Sequence, residues 1–297
     1  MNINEKVFYK SKLTKKISSV TLDELKNQLI DVSLKREEIK ELLLEQEKQL
    51  KKTKTKRKLF GWFPLSKILQ NKVDLWENEI AELIEKISET NAQLNSCKVK
   101  VEIDITQNLE ASYGVLYDAY SELQNSERIW DVTTSTVADR VSLRTTAHHL
   151  IERRPIKFTK EQLEAIDCDF SALHLENANG ADLYIYPIFI LIRDKGEIAL
   201  IDLKEVDVDF ALTRFIETES VPNDSEVIDH TWAKANKDGT RDRRFSDNYQ
   251  IPIAQYGEFH IKTNQGLNEV YMVSNASALV EFSNAFNDFH RLLSKDI

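Results

Sequence analysis

LYIYPIFILIRDKGEIALIDLKEVDVDFAL, residues 183–212, contains two apolar runs separated by a polar turn. Asp194, Lys195 and Gly196 supply the turn, because glycine and short polar residues adopt the backbone conformations that tight hairpins require. Apolar runs bounded by turn residues are typical of buried strands. The stretch therefore predicts a β-hairpin, with a further strand after Lys204.

More strands and a terminal helix are predicted after this hairpin. The strand signals lie at 226–233, 256–263 and 268–274. The last helix is predicted because apolar residues recur every three or four positions: Leu279, Phe282, Phe286, Phe289 and Leu293. Several antiparallel strands followed by one helix predict a barrel or sandwich that the helix closes.

The region before the hairpin predicts one strand and two helices. A half-buried strand is indicated by apolar residues that alternate with polar ones: Val99, Val101, Ile103 and Ile105. A helix at about 106–126 has one apolar face, formed by Leu109, Tyr113, Leu116, Tyr120 and Leu123. Gly114 disfavours that helix by roughly 1 kcal/mol. Residues 136–152 predict another helix before Pro155, with His148 and His149 on its surface.

The N-terminal third contains two heptad seams, in which apolar residues are three and four positions apart. The first seam, which Arg36 and Gln46 interrupt, comprises Leu22, Leu25, Leu29, Val32, Ile39, Leu43 and Leu50. The second, which Thr90 interrupts, comprises Val73, Trp76, Ile80, Leu83, Ile87 and Leu94. Because neither helix can bury its stripe alone, residues 1–97 predict an antiparallel helical hairpin, or coiled coil, before an α+β domain at 98–297. Pairing between two copies of the chain would bury the same stripes and stays an alternative.

Charge is distributed unevenly along the 297 residues. The net charge is +7 over residues 1–64 and −16 over the remainder, which makes broad contact with nucleic acid unfavourable for the larger part. Cys97 and Cys168 are far apart in sequence, so neither a disulfide framework nor a thiolate metal site is predicted. The N-terminus lacks the apolar core of a signal peptide. We expect a cytoplasmic protein, with peripheral membrane contact as one option, and no cofactor or metal.

KKTKTKRKLFGWFP, residues 51–64, predicts the tip of the hairpin and a contact surface. Its surface-binding residues are Lys51, Lys52, Lys54, Lys56, Arg57, Lys58, Phe60, Trp62 and Phe63. Near an anionic membrane each cation contributes about 1 kcal/mol, and the aromatic side chains add interfacial burial. Nucleic acid or a protein partner could meet the same residues. Alternatively, the cations form a solvated helix end while the aromatic residues cover the end of the hairpin.

NKDGTRDRRFSDN, residues 236–248, predicts a second basic site around the Asp238-Gly239 turn. Its candidate anion-binding residues are Lys237, Arg241, Arg243 and Arg244. Three aspartates in the same loop offset this charge, so internal pairing is the more economical interpretation.

One enzyme pattern is present. Asp202 and Lys204 are two positions apart in a predicted strand, so both side chains would share one face. This resembles the metal-binding acid and lysine of PD-(D/E)xK nucleases, with Asp182 or Asp194 as the earlier acid. No glycine-rich phosphate loop, serine nucleophile elbow or paired-histidine motif is found in the sequence.

Four further stretches carry a resemblance to a family. SERIWDVTTS (126–135), YIYPIFILI (184–192), WAKANKDGTRDRRFSDNYQIPIAQYG (232–257) and VSNASA (273–278) resemble a module of uncharacterised bacterial coiled-coil proteins. The strand order with a closing helix is also similar to a pleckstrin-homology-type barrel, in architecture alone. The sequence as a whole predicts a non-enzymatic scaffold, adaptor or sensor, with a metal-dependent nuclease as the alternative.

Overall fold

The structure is a computed structural model that describes residues 6–8, 22–60, 67–178, 180–194 and 196–295. It is an α+β protein with mostly antiparallel sheets, and the chain divides into two compact units. The first unit comprises Asn27–Val101 and Leu163–Asp167. The second comprises Met1–Lys26, to which the N-terminal strand β1 (Lys6–Phe8) belongs, together with Glu102–Gln162 and Cys168–Ile297. None of the helices in the described part of the chain combines the length and apolar character that crossing a bilayer requires.

The first unit consists mainly of the helices α1 (Asp23–Phe60) and α2 (Lys67–Ser96). The helices run antiparallel, since Arg36 contacts Leu94 while Thr53, further along α1, contacts Glu79. Leu29 and Leu83 are buried, and the other predicted seam residues are half-buried. A seam that repeats every three and four residues therefore forms the less exposed face of each helix.

A two-residue parallel pairing joins β2 (Val99–Lys100) to β6 (Ile166–Asp167) in this unit. The predicted strand over residues 98–106 is longer than the observed one. Its alternating burial is present, but strand geometry stops after Lys100 because the partner strand is only two residues long.

The second unit contains two antiparallel sheets. The larger sheet has the order β1-β3-β14-β13-β11, with β4 paired to β3 and β12 paired to β13. Its strands are β3 (Ile129–Val137), β4 (His149–Ile156), β11 (Asp207–Ile216), β12 (Glu226–Trp232), β13 (Gln250–Lys262) and β14 (Asn268–Val273). The smaller sheet has the order β10-β9-β8-β7-β5, formed by β5 (Phe158–Glu161), β7 (Ala172–Leu175), β8 (Asp182–Ile185), β9 (Phe189–Asp194) and β10 (Glu197–Asp202).

Neither sheet closes on itself among the described residues, so of the two arrangements that the strand pattern predicts, a barrel or a sandwich, a closed barrel is not formed. The two outermost strands of the larger sheet, β4 and β11, each pair with one strand within the ranges that the structure describes. A side-chain bridge between Arg153 and Glu217, rather than a backbone ladder, connects this pair of edges.

The prediction of a helix at 136–152 is also wrong. Residues 129–137 and 149–156 form the antiparallel pair β3–β4, and only the single helical turn α4 (Arg140–Leu143) lies between them. The cross-strand ladder to β3 overrides the weak helical periodicity of this stretch. His148 and His149 consequently lie at the start of a strand instead of on a helix surface.

Residues 183–212, for which one hairpin is predicted, contribute to two hairpins, β8–β9 and β9–β10. The predicted turn is confirmed at its described positions, because Asp194 pairs with Glu197 and Gly196 has a φ of +95°, while Lys195 lies outside the described residues. The first apolar run is divided into β8 and β9 around Pro187, which cannot donate to a ladder, and Tyr186 N donates to Phe189 O at 2.9 Å across the resulting turn.

Two helices complete the second unit, α3 (Gln107–Gln124) and α5 (Ala276–Leu293). All ten side chains of their predicted apolar faces are buried. They share one core with both sheets, in which Tyr120 stacks on Phe158 with ring centroids 5.8 Å apart. A second buried cluster lies on the other face of the larger sheet and comprises Trp130, Val132, Ala254, Tyr256, Val270 and Met272.

Candidate functional site

The basic segment, defined here as residues 51–58, forms the last turns of α1 and is entirely helical. The side chains of all six cations are exposed. Arg57 forms an ion pair with Glu77 of α2, and its Nε lies 2.9 Å from Glu77 Oε1. The five lysines have no side-chain partner among the described residues. The segment is therefore neutralised at one position, where α1 faces α2.

Helical geometry determines how these lysines are arranged. Lys51 and Lys54 are three residues apart, and both Lys52 with Lys56 and Lys54 with Lys58 are four apart, so each pair consists of neighbours on the helix surface. Like-charge neighbours at this spacing destabilise a helix by roughly 0.2–0.5 kcal/mol per pair, while cations near the helix C-terminus gain from the dipole.

The apolar residues that directly follow the basic segment are partly covered by α2. Phe60 packs against Trp76 with ring centroids 5.6 Å apart, yet 47% of its surface is exposed, and Leu59 is 64% exposed. Trp62 and Phe63, also predicted to bind a surface, lie outside the described residues.

The second predicted site, around Arg241 and Arg244, is extensively paired within the protein. Asp242 is buried and accepts from Arg244 Nη2 at 2.7 Å and from Arg144 Nη1 at 3.0 Å. The hydrogen bond from Arg244 lowers the pKa of Asp242 to about 2. Arg241 lies over the ring of Trp232 at 5.2 Å and donates to the Ser246 carbonyl.

The backbone holds this loop in place as well. Arg144 has a φ of 53°, an unfavourable value for a residue with a side chain, and its carbonyl accepts from Ala235 N at 2.8 Å. Lys237 and Arg243 are exposed and form no ion pair within the described chain. The geometry favours internal pairing for Arg241 and Arg244, and anion binding by the four-residue set stays a prediction.

Asp202 and Lys204 do not have the arrangement that the nuclease hypothesis requires. Strand β10 ends at Asp202, whose carboxylate caps the 3-10 turn Leu203–Glu205 by accepting from Lys204 N at 2.9 Å. Register places Asp202 opposite Phe189, whereas Asp194 pairs with Glu197 and Asp182 with Arg193. Both candidate earlier acids therefore lie at the opposite end of these strands. No cluster of three or more His, Cys, Asp or Glu residues suited to a metal occurs among the described residues.

A polar cluster around His174 was missed in the sequence because its members come from three different strands. The ring of His174 stacks on Tyr184 at 4.4 Å, and its Nδ1 lies 2.7 Å from Thr159 Oγ1 and 3.1 Å from Glu161 Oε1. Burial would raise the pKa of Asp182, but hydrogen bonds from His174 and Asn177 lower it overall. Burial, together with the charge of Asp182, raises the pKa of Tyr184 to about 12.

A cleft of about 960 Å³ lies beside the larger sheet and was not anticipated either. Residues 147–151, which lead into and begin β4, form one wall, and residues 212–216 at the end of β11 form another. Ser135 Oγ and His149 Nδ1 lie 3.3 Å apart at its side. Glu258 also lines the cleft, and burial raises the pKa of its carboxyl group.

Arg153 of β4 lies next to Phe215, which is one of the residues that line this cleft. Its guanidinium lies 3.9 Å from the ring centroid of Trp130 and 4.2 Å from that of Phe215. Arg153 Nη2 donates to Glu217 Oε2 at 2.6 Å, and the Tyr256 hydroxyl donates to the same oxygen at 2.7 Å. Burial would raise the pKa of Glu217, but these two hydrogen bonds lower it overall.

Comparisons with protein-family models, with curated proteins and with solved structures find no match for this chain. The resemblance to a bacterial coiled-coil module and the architectural similarity to a pleckstrin-homology-type barrel therefore stay predictions.

Proposed function

We propose that the protein is a non-enzymatic scaffold that attaches to an anionic lipid surface through the basic segment of α1. The observation that carries this proposal is the combination of five exposed lysines with no side-chain partner in the described chain. Their mutual repulsion is a cost to the helix that an anionic surface would remove.

The expected binding free energy suits reversible attachment to a membrane. Each lysine near an anionic leaflet contributes about 1 kcal/mol, so five give a few kcal/mol when contact is incomplete. Leu59, which is 64% exposed, lies next to these lysines and adds apolar area that can enter the interface. The protein would be peripheral at a cytoplasmic membrane face.

The second unit would provide the body of the scaffold. Its two antiparallel sheets share one core with α3 and α5, which supports a sandwich-like arrangement rather than a closed barrel. A rigid body of this kind can display further contact surfaces while the basic segment holds the membrane.

The test is cosedimentation with vesicles of phosphatidylserine and phosphatidylcholine. We expect the wild type to sediment with these vesicles, but not with pure phosphatidylcholine, and to be released by salt. A variant with the five lysines of the basic segment changed to Gln should stay in the supernatant. Arg57 is left unchanged because its pair with Glu77 joins the two helices.

A matched control removes the same charge elsewhere in the first unit. Lys35, Lys48, Lys72, Lys86 and Lys98 are exposed lysines outside the basic segment, and changing all five to Gln should preserve sedimentation. Equal sedimentation of the two variants would refute the proposal. Binding to a single-stranded oligonucleotide but not to vesicles would assign the segment to nucleic acid instead.

A further inference from the structure

Within the described part of the chain, the cleft between β4 and β11 has backbone groups without a strand partner on both sides. Strand β4 pairs only with β3, and β11 pairs only with β13, among the described residues. Each is thus an edge strand with one row of amide and carbonyl groups directed away from its partner.

Individual hydrogen bonds identify which residues face the cleft. Glu217 N donates to Pro252 O at 3.0 Å, so the odd-numbered residues of β11 are directed toward β13. On β4, His148 O accepts from Ala138 N at 2.9 Å, so the even-numbered residues there are directed toward β3. The groups directed outward belong to His149, Ile151 and Arg153 on β4, and to Leu212, Arg214 and Ile216 on β11.

The relative direction of β4 and β11 determines how an added strand could pair with both of them. Strand β4 is antiparallel to β3, and successive antiparallel pairings through β14 and β13 lead to β11. Strands β4 and β11 therefore run parallel to each other. One added strand in the opposite direction would form an antiparallel ladder with both.

We propose that this cleft binds an extended peptide segment of a partner protein as an additional strand between β4 and β11. One face of that strand meets Ile151 and Phe215. These two residues pack against the second buried cluster, which lies on the face of the larger sheet opposite the core shared with α3 and α5. The opposite face meets Leu150 and Leu212, which are 48% and 50% exposed. The side chains of the peptide that face the buried cluster, which are those at every second position, are therefore apolar, while the alternate side chains lie on the more exposed face beside Leu150 and Leu212.

Glu258 adds a preference for charge. Its carboxyl group lines the same cleft and forms no ion pair with any described residue. A lysine or arginine of the peptide would supply a partner for it. Pro155, whose missing amide lies among the outward-facing positions of β4, ends the available ladder after Arg153.

The experiment uses a phage-displayed library of random dodecapeptides, selected on the full-length protein. We expect enriched sequences with alternating apolar residues and at least one basic residue. A synthetic peptide of the enriched sequence should slow hydrogen exchange at the amides of Ile151, Leu212 and Arg214. It should bind Leu212→Pro roughly tenfold more weakly, since that change removes an outward-facing donor while sparing the ladder to β13.

Two further variants keep the test decisive if proline impairs folding. Leu212→Lys places a charge on the exposed edge and should weaken the peptide similarly, whereas Val115→Lys, at a 62% exposed position of α3, should bind normally. Failure to enrich any peptide, or protection of amides elsewhere, would overturn the proposal. Concentration-dependent dimerisation that protects the same amides would also overturn it, because the occupant would then be a second copy of the chain.

Discussion

Gly257 lies in β13 where helix α5 crosses the sheet at close range. A methyl group added there would come within 2.5 Å of Leu279 Cδ2 and 2.8 Å of Leu279 Cβ. Because the second of these atoms cannot move by a simple rotation of the side-chain end, Gly257→Ala should destabilise the protein by about 1–3 kcal/mol. Urea unfolding measures the effect.

Gly114 in α3 is the matched control, since no atom lies within 4 Å of the position of an added methyl group. Gly114→Ala should stabilise the protein by roughly 0.5–1 kcal/mol through helix propensity. Equal effects of the two substitutions would show that α5 does not approach β13 as closely as described.

Asp242 should make the stability of the second unit dependent on pH. An unfolded aspartate has a pKa of about 3.9, and Arg244 lowers the pKa of Asp242 to about 2 in the folded state. The charged carboxylate therefore stabilises the fold above about pH 4, and this contribution disappears as the pH falls through 2. The difference in Tm between wild type and Asp242→Asn should be largest at neutral pH and shrink on acidification.

Asp247→Asn is the control for this measurement, because the exposed Asp247 forms no ion pair within the described chain. Its Tm should match that of the wild type at each pH. A difference between wild type and Asp242→Asn that did not change with pH would exclude the ion pair as its cause.

At the level of elements, Arg36 joins both helices of the first unit at the C-terminal end of α2. Its Nη1 donates to Leu94 O at 2.7 Å and to Cys97 O at 2.9 Å, and its Nη2 donates to Glu164 at 3.1 Å. Arg36→Ala would leave two carbonyls without this donor, so we expect a loss of about 1–3 kcal/mol in urea unfolding. Lys40→Ala, which removes a more exposed partner of Glu164, should cost under about 1 kcal/mol. Similar losses of unfolding free energy for Arg36→Ala and Lys40→Ala would mean that the hydrogen bonds from Arg36 to the end of α2 contribute little to stability.

Elements with a strong intrinsic pattern could be predicted from the sequence, and elements defined by their neighbours could not. The apolar faces of α3 and α5 repeat over several turns, and strands β12 and β14 alternate or run apolar between turn residues. Strand β4 has no such pattern, because its geometry comes from the ladder to β3. The exposure of the lysines follows from their charge, whereas the cleft depends on sheet order, which spacing along the chain does not encode.

At the level of the whole molecule, the bridge between Arg153 and Glu217 replaces the ladder that would close the larger sheet. Glu217 is 1% exposed, so Arg153→Met would leave a buried carboxylate unpaired, at a cost of about 3–5 kcal/mol. Adding Glu217→Gln removes that charge while keeping an acceptor for Tyr256, so the double variant should be more stable than Arg153→Met alone. A double-mutant cycle in urea measures the coupling, expected up to about 3 kcal/mol. Additive effects would show that the two side chains do not act together.

Strand β13 is the longest of the described strands and pairs with β11, β12 and β14. Inserting one residue within 250–262 would exchange its inward and outward side chains beyond that point, which disturbs several ladders together. Natural homologues should therefore show length variation in the turn at 263–266 and almost none within the strand. The thirteen residues of β13 would then fix the register of the three strands that pair with it.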